Sequence, residues 1–143
     1  MPYRFRGDIA TADVAFEAWG ETRAELFEAS AAALLRTMTE EPDEVERRTI
    51  LPIRLEHGEL DLLLFALLNE LVYYKDARRL LMHLDEARID GGDGAYFLTA
   101  LGAGEEIDPT RHKLLVDVKA ATLHRLKVVR GESLWRATVV LDV

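Results

Sequence analysis

The chain of 143 residues contains no cysteine. This absence excludes a disulfide framework and any thiolate site for zinc or redox chemistry, and it is typical of proteins in a reducing compartment. Long apolar runs are also lacking, because the Leu-rich stretch 60–74 contains charges and is shorter than the roughly 20 residues that span a membrane. The N-terminal residues 1–6 lack the apolar core of a signal peptide. We therefore expect an untargeted, soluble, cytoplasmic protein with no membrane partner.

Basic residues are in the minority: 18 Lys and Arg stand against 26 Asp and Glu, which gives a net charge of −8. Clustered cations supply most of the affinity for phosphates, so this balance disfavours a broad nucleic-acid-binding surface. An acidic chain suits cation binding or docking onto a basic surface. Any contact with RNA is therefore expected to be indirect, through a protein partner.

Catalytic constellations are also missing from the sequence. No serine lies in a nucleophile elbow, as a Ser-hydrolase would require. No histidine lies three to five residues from another, as a zinc site would require. The four histidines are His57, His83, His112 and His124. Of these, only His124 is kept as a candidate functional residue, and its alternative role is that of a half-buried strand histidine donating to a carbonyl.

The glycines are better explained by chain geometry than by ligand binding. The run 90–94 lacks the ligand spacing and closing Glu of a calcium loop, and it predicts a tight hairpin turn. The run 102–104 lacks the residues of a phosphate-binding loop and predicts a bend or bulge. Pro52 confines its strand to the edge of a sheet or to a bulge.

The hydrophobic pattern predicts an α+β protein with a single domain over residues 1–143. Thr22 and Glu25 form a capping box that opens an amphipathic helix, and a second helix is apolar almost all round. We expect a two-layer sandwich, in which both helices cover one face of a mixed, mostly antiparallel sheet. The predicted helices are 22–37 and 59–74, and the predicted strands are two within 3–19, then 45–56, 80–90, 95–102, 113–118, 123–129 and 134–143.

Residues 116–126 are the stretch around which the chain is organised. Lys119 interrupts an apolar run that is typical of a buried strand, where an ammonium needs a carboxylate partner. Two isolated acids beside apolar runs, Asp13 and Asp142, could provide one. The α-carboxylate of Val143 is expected to add a third negative group.

Three such groups in a small volume would repel one another by about 1–4 kcal/mol per pair, so a proton or cation must enter. Lys119 could supply one positive charge, and a divalent metal could supply more. All the candidate ligands are hard oxygens, which favours calcium, with magnesium or manganese as alternatives, over zinc or copper.

The order of several short motifs resembles the archease family over nearly the whole chain. The matching residues are Thr11-Ala12-Asp13-Val14, Leu68-Asn69-Glu70-Leu71-Val72-Tyr73, Gly104-Glu105 before Asp108, Val118-Lys119-Ala120-Ala121-Thr122-Leu123-His124 and Leu141-Asp142-Val143. The resemblance implies a non-enzymatic activator of an RtcB-type RNA ligase. Family members promote guanylylation of the ligase and its multiple turnover in tRNA splicing and RNA repair.

The resemblance also implies an acidic divalent-metal site, whose ligand positions fall on Asp13, Asp142 and Val143. The functional lysine of the family falls on Lys119. One departure is Ala10, where the family commonly has His, which removes a potential hydrogen-bond partner near the site.

Other functions remain open at this point. Asp13 and Asp142 could hold a metal-activated water in a small hydrolase with His124 as its base. A chaperone-like protein-binding module would explain the acidic composition but not Lys119. Asn69 and Glu70 are interpreted as a polar helix edge facing solvent, with partner binding as the alternative.

Overall fold

The computed structural model of the protein describes residues 2–9 and 13–143. In this part of the chain, two α-helices and eight β-strands follow one another, with a short 3-10 helix at Pro42–Glu44. The elements are β1 (Tyr3–Phe5), β2 (Val14–Gly20), α1 (Arg23–Met38), β3 (Thr49–His57), α2 (Leu60–Arg78), β4 (Leu80–Gly92), β5 (Ala95–Glu106), β6 (Ala120–Ala121), β7 (Lys127–Arg130) and β8 (Trp135–Asp142).

The strands form two sheets, and every ladder between described strands is antiparallel. One sheet has the order β1-β2-β8-β6 with β7 also paired to β8, and the other has the order β3-β5-β4. The predicted α+β class is confirmed, but the strands divide between two sheets where one mixed sheet was expected. Periodicity in the sequence identifies strands without indicating which of them pair, and this is why the division was not predicted.

Helix α1 begins and ends close to the predicted residues. The Thr22 hydroxyl accepts a hydrogen bond from the Glu25 backbone N–H at 3.1 Å, and the Glu25 carboxylate accepts one from the N–H of Glu21 at 2.9 Å. The first bond satisfies an N–H group that the start of a helix leaves free, and the second holds the residue that precedes the N-cap. The buried face of the helix, including Leu26 and Phe27, packs into the core shared with the sheets.

Helix α2 runs about one turn further than predicted, through Arg78. Arg79 ends it in the left-handed conformation (φ 54°) and donates its N–H to the carbonyl of Tyr74. The charged residues after Tyr74 were interpreted as the helix end, but Lys75 is buried within the last turn. The rest of the helix is apolar on most sides, as expected, and packs on β3 and β4.

The three-stranded sheet keeps the predicted hairpin but not the predicted bend. Asp93 (φ 44°) and Gly94 (φ 97°) make the tight turn between β4 and β5. The run 102–104 lies inside the continuous strand β5, so the expected bend or bulge there is wrong. Its glycines permit close packing against β4. Pro52 lies on β3, which is an edge strand as predicted.

The stretch 113–119 is not a strand. Residues 113–119 form no regular ladder, and pairing with β8 begins at Ala120–Ala121. Val118 is buried, whereas Lys119 is exposed to solvent. The expectation of an ammonium inside a buried strand is therefore wrong for Lys119, because its side chain is exposed although its neighbour Val118 is buried.

Candidate functional site at the end of the five-stranded sheet

Asp13 and Asp142 lie at the same end of the β2–β8 ladder. Asp13 directly precedes Val14, whose partner across the ladder is Leu141, and Asp142 directly follows Leu141. The antiparallel register thus brings together two acids from opposite ends of the sequence. Both residues are exposed. We call this end of the sheet, defined by Asp13 and Asp142, the acidic edge.

Lys119 is joined to the acidic edge through its backbone. Its N–H donates to the carbonyl oxygen of Asp142 at 2.8 Å, and the next residue, Ala120, is the ladder partner of Asp142. Val143 follows Asp142, and its half-buried side chain packs against the core. The predicted residues Asp13, Asp142, Val143 and Lys119 therefore meet at one end of the sheet, while their roles stay predictions.

His124 lies in the turn between β6 and β7 and is exposed. The expected half-buried strand position is therefore wrong. No hydrogen bond or ion pair joins its ring to the acidic edge within residues 2–9 and 13–143. Ala10 lies outside the described residues.

The donor set of the acidic edge fits a hard divalent cation in its chemistry. Two exposed carboxylates offer oxygen ligands, and exposure lets a cation keep part of its water shell. Among the residues that the structure describes, neither acid lies within 4.0 Å of a cationic side chain. The same residues contain no group of three or more His, Cys, Asp or Glu side chains arranged around one metal position. Two side-chain carboxylates would thus need further oxygen ligands from the backbone or from water.

Two polar residues of α2 contact the segment that carries Lys119, and sequence reasoning missed both. Asn69 hydrogen-bonds to the backbone of Ala121, and the Lys75 ammonium donates to the carbonyl of Val118. The interpretation of Asn69 as a solvent-facing residue is therefore wrong. A polar residue within an apolar helix was the available signal, but its partner is distant in sequence and only the fold identifies it.

A second buried polar cluster surrounds Glu105, at the end of β5. Its carboxylate binds Arg111, accepts the backbone N–H of Glu46 at 2.6 Å and lies 3.2 Å from Nε2 of His112. The N–H of Asp108 donates to Nδ1 of His112 at 2.9 Å, so the ring proton lies on Nε2 and points to Glu105. Burial alone would raise the pKa of Glu105, but the hydrogen bonds from Arg111, Glu46 and His112 lower it to about 2. The cluster fastens the loop after β5, which explains Glu105 and His112 structurally.

Comparison with known proteins agrees with the motifs. The model of the Archease protein family (MTH1598/TM1083) matches residues 3–143. The chain belongs to the archease family. A relative from Pyrococcus furiosus, named protein archease, is 34% identical over 134 residues, which cover 93% of this chain and 94% of the relative.

Two solved structures share the archease fold. The solution structure of protein 1598 from Methanobacterium thermoautotrophicum has a TM-score of 0.84 at 30% identity and covers 99% of both chains. The crystal structure of "an archease, possible chaperone" from Thermotoga maritima has a TM-score of 0.58 at 20% identity and covers 96% of both chains, which shows a common fold. The resemblance to the archease family drawn from the sequence is confirmed.

None of the helices in the described part of this archease-family chain combines the length and the apolar character needed to cross a bilayer. In the described part of the chain, Leu114, Leu115 and Val116 are three consecutive exposed apolar residues, and they lie between the Glu105 cluster and Lys119. Three consecutive exposed apolar side chains are a candidate surface for protein contact.

Proposed function

We propose that this chain is a non-catalytic activator of an RtcB-type RNA ligase. The carboxylates of Asp13, Asp142 and Val143 hold a divalent cation, for which calcium is favoured. Lys119 and His124 take part in the activation of the ligase. The chain contacts RNA only indirectly, through the ligase. The observation that supports this proposal best is the meeting of Asp13 and Asp142 at one end of the β2–β8 ladder, with the backbone of Lys119 bonded to Asp142.

The chemistry of the acidic edge fits a role in activation. Two exposed carboxylates with no ion-pair partner among the described residues leave negative charge available to a cation or to a basic protein surface. A bound divalent cation would neutralise that charge and provide a Lewis-acidic centre. Lys119 adds an exposed ammonium group on a flexible stem, which can reach an anionic group of the partner.

The test is guanylylation of the ligase. Purified ligase from the same source is incubated with GTP and calcium, with or without this protein, and both covalent guanylylation and the number of ligation turnovers are measured. We expect the wild-type protein to increase both. The proposal would be overturned if the wild-type protein increased neither guanylylation nor the number of turnovers.

The cation site is tested separately by calorimetric titration with calcium. Asp13→Asn and Asp142→Asn each remove one charged ligand and are expected to weaken binding by about tenfold or more, because affinity depends on the charge count of the ligands. Asp93→Asn is the matched control, since it removes one carboxylate from the exposed β4–β5 turn while keeping a residue type that tolerates its positive φ. Equal affinity in all three variants would show that the acidic edge is not the calcium site.

A chaperone-like role is the second candidate, and the exposed Leu114, Leu115 and Val116 favour it. The Thermotoga maritima relative is described as a possible chaperone. Such a role predicts that the protein suppresses aggregation of unrelated unfolded proteins and that Leu115→Ser weakens this effect. Stimulation of the ligase without general suppression of aggregation would favour the activator.

A further inference from the structure

The segment Val118–Ala121 carries Lys119 and lies between β8 and α2. On the β8 side, the N–H of Lys119 donates to the carbonyl of Asp142 at 2.8 Å, and Ala121 pairs with Leu141. Val118 and Ala121 are buried, whereas Lys119 between them is exposed. The segment therefore points Lys119 outward while its neighbours are held inside.

Asn69 of α2 binds the C-terminal end of this segment, at Ala121. Its Oδ1 accepts the Ala121 N–H at 2.9 Å, and its Nδ2 donates to the Ala121 carbonyl at 3.2 Å. One side-chain amide thus satisfies both backbone groups of Ala121 that face the helix, as a neighbouring strand residue would. Nδ2 also donates to the carbonyl of Phe65 at 3.2 Å, which fixes the amide to its own helix.

Lys75 of α2 binds the N-terminal end of the segment, at Val118. Its ammonium donates to the carbonyl of Val118 at 2.6 Å, to Asp76 at 2.6 Å and to the carboxylate of Asp117. These three acceptors match its three N–H donors. Only 6% of the Lys75 side chain is exposed, against 56% for Asp76 and 73% for Asp117. Burial alone would lower the pKa of Lys75, but the hydrogen bonds to Asp117 and Asp76 raise it above its usual value, so the group stays charged.

We propose that Asn69 and Lys75 are positioning residues that fix the segment Val118–Ala121 so that Lys119 stands at the acidic edge. The proposal rests on the proposed function for the reason why Lys119 must be placed there. Neither residue is expected to touch the ligase, since each side chain is directed to the backbone of this segment. The two tethers flank Lys119, so the loss of either one frees one end of the segment.

Hydrogen exchange measured by NMR tests the Asn69 tether directly, and it needs no ligase. In Asn69→Leu the amide of Ala121 loses its acceptor, and its exchange is expected to rise about ten- to a hundredfold, the factor that corresponds to one unsatisfied buried amide. Asn69→Gln keeps both the amide oxygen and the NH2 donor, and it is expected to keep exchange of Ala121 closer to the wild-type rate than Asn69→Leu does. Glu70→Leu, on the same helix turn, is the control and is expected to leave that rate unchanged.

The Lys75 tether is tested with Lys75→Met, which keeps an apolar stem of similar length. The acids that it leaves behind are largely exposed, so the variant is expected to fold, and the amide of Lys119 is expected to exchange faster. Lys113→Met is the matched control, because it removes an equal charge from an exposed ion pair with Glu41 and lies ahead of the segment Val118–Ala121.

The ligase assay then measures the consequence for Lys119. Asn69→Leu and Lys75→Met are expected to lower stimulation of guanylylation about ten- to a hundredfold, as misplacement of a positioned group does. Asn69→Gln is expected to retain more of the stimulation than Asn69→Leu, which a general loss of stability would not predict, and Lys113→Met is expected to retain it fully.

The outcomes separate this inference from the proposed function. Unchanged exchange at Ala121 and Lys119 in both tether variants would overturn the positioning role, whatever the ligase does. Faster exchange with full stimulation would also overturn it. If the wild-type protein does not stimulate the ligase, the proposed function fails, while faster exchange confined to residues 118–121 would still support the placement of Lys119 by these tethers.

Discussion

Gly104 of β5 lies directly against the backbone of Leu81 in β4. A Cβ at position 104 would be 1.8 Å from the carbonyl oxygen of Leu81 and 2.7 Å from its carbonyl carbon. Because both atoms belong to a strand held by its own ladder, neither can move away cheaply. The close approach of the two strands therefore depends on the absence of a side chain at Gly104.

Gly104→Ala is expected to reduce the free energy of unfolding by about 3 kcal/mol or more, the upper range for overpacking a tight core. Gly92→Ala is the control, since no atom beyond Gly92 and its two chain neighbours lies within 4 Å of the position of its Cβ. A change within about 0.5 kcal/mol is expected there. Urea denaturation of both variants measures the difference. Equal stability of the two variants would contradict the steric account of Gly104.

The buried carboxylate of Glu105 predicts a pH dependence of stability. Hydrogen bonds lower its pKa from 4.5 to about 2, so the ionised form stabilises the fold above pH 4.5, and this contribution is lost as the pH falls toward 2. Glu105→Gln is expected to lose about 1.5–3 kcal/mol at pH 7, the value of hydrogen bonds to a charged group. The difference from wild type is expected to shrink below pH 4.5.

Thermal melts of wild type and Glu105→Gln between pH 2.5 and 7, a range chosen around the ordinary and lowered pKa values, check this expectation. Glu132→Gln removes an exposed carboxylate near the β7–β8 turn and is the control. A constant difference between wild type and Glu105→Gln across this range would show that ionisation of Glu105 does not contribute.

Lys119→Ala is expected to abolish stimulation of the ligase with little effect on the fold. Lys119 is exposed and holds its place through a backbone N–H that alanine also possesses, so the free energy of unfolding should change by less than about 0.5 kcal/mol. Lys127→Ala, at an exposed position of β7, controls for the loss of one positive charge. Full stimulation by Lys119→Ala would contradict its proposed role.

Residues added after Val143 are expected to weaken calcium binding while leaving the fold intact. Protein prepared to end at Val143 has an α-carboxylate there, and an extension converts it into a neutral amide and so removes one charged group from the proposed ligands. Calorimetric titration of tagged protein, compared with protein tagged ahead of β1, measures the effect. Equal affinity in the two forms would exclude the Val143 carboxylate as a ligand.

Local signals in the sequence predicted some elements well. The start of α1 follows from Thr22 and Glu25, which contact each other within one helix turn. The β4–β5 turn follows from Asp93 and Gly94, whose residue types tolerate positive φ. Such elements depend on neighbours in sequence, and a pattern over a few residues is sufficient to identify them.

Other features depend on partners far away in the chain. Lys75 is interpreted as part of a helix end when only the sequence is considered, because its contacts with Asp117 and Val118 cannot be predicted from neighbouring residues. In the same way, Lys119 was expected inside a strand because apolar neighbours do not reveal which of them the fold leaves on the surface. The close positions of Asp13 and Asp142 follow from strand pairing, which residue patterns alone do not specify.

The central pairing of β2 with β8 has a consequence for how the chain acquires its structure during synthesis. β2 is made early, and it cannot complete its sheet until β8 has left the ribosome, so this non-local ladder must form after most of the chain has been translated. The three-stranded sheet β3–β5–β4 and the helices can form before that point. The acidic edge therefore forms only when β8 joins the sheet, and a nascent chain that lacks β8 has no acidic edge.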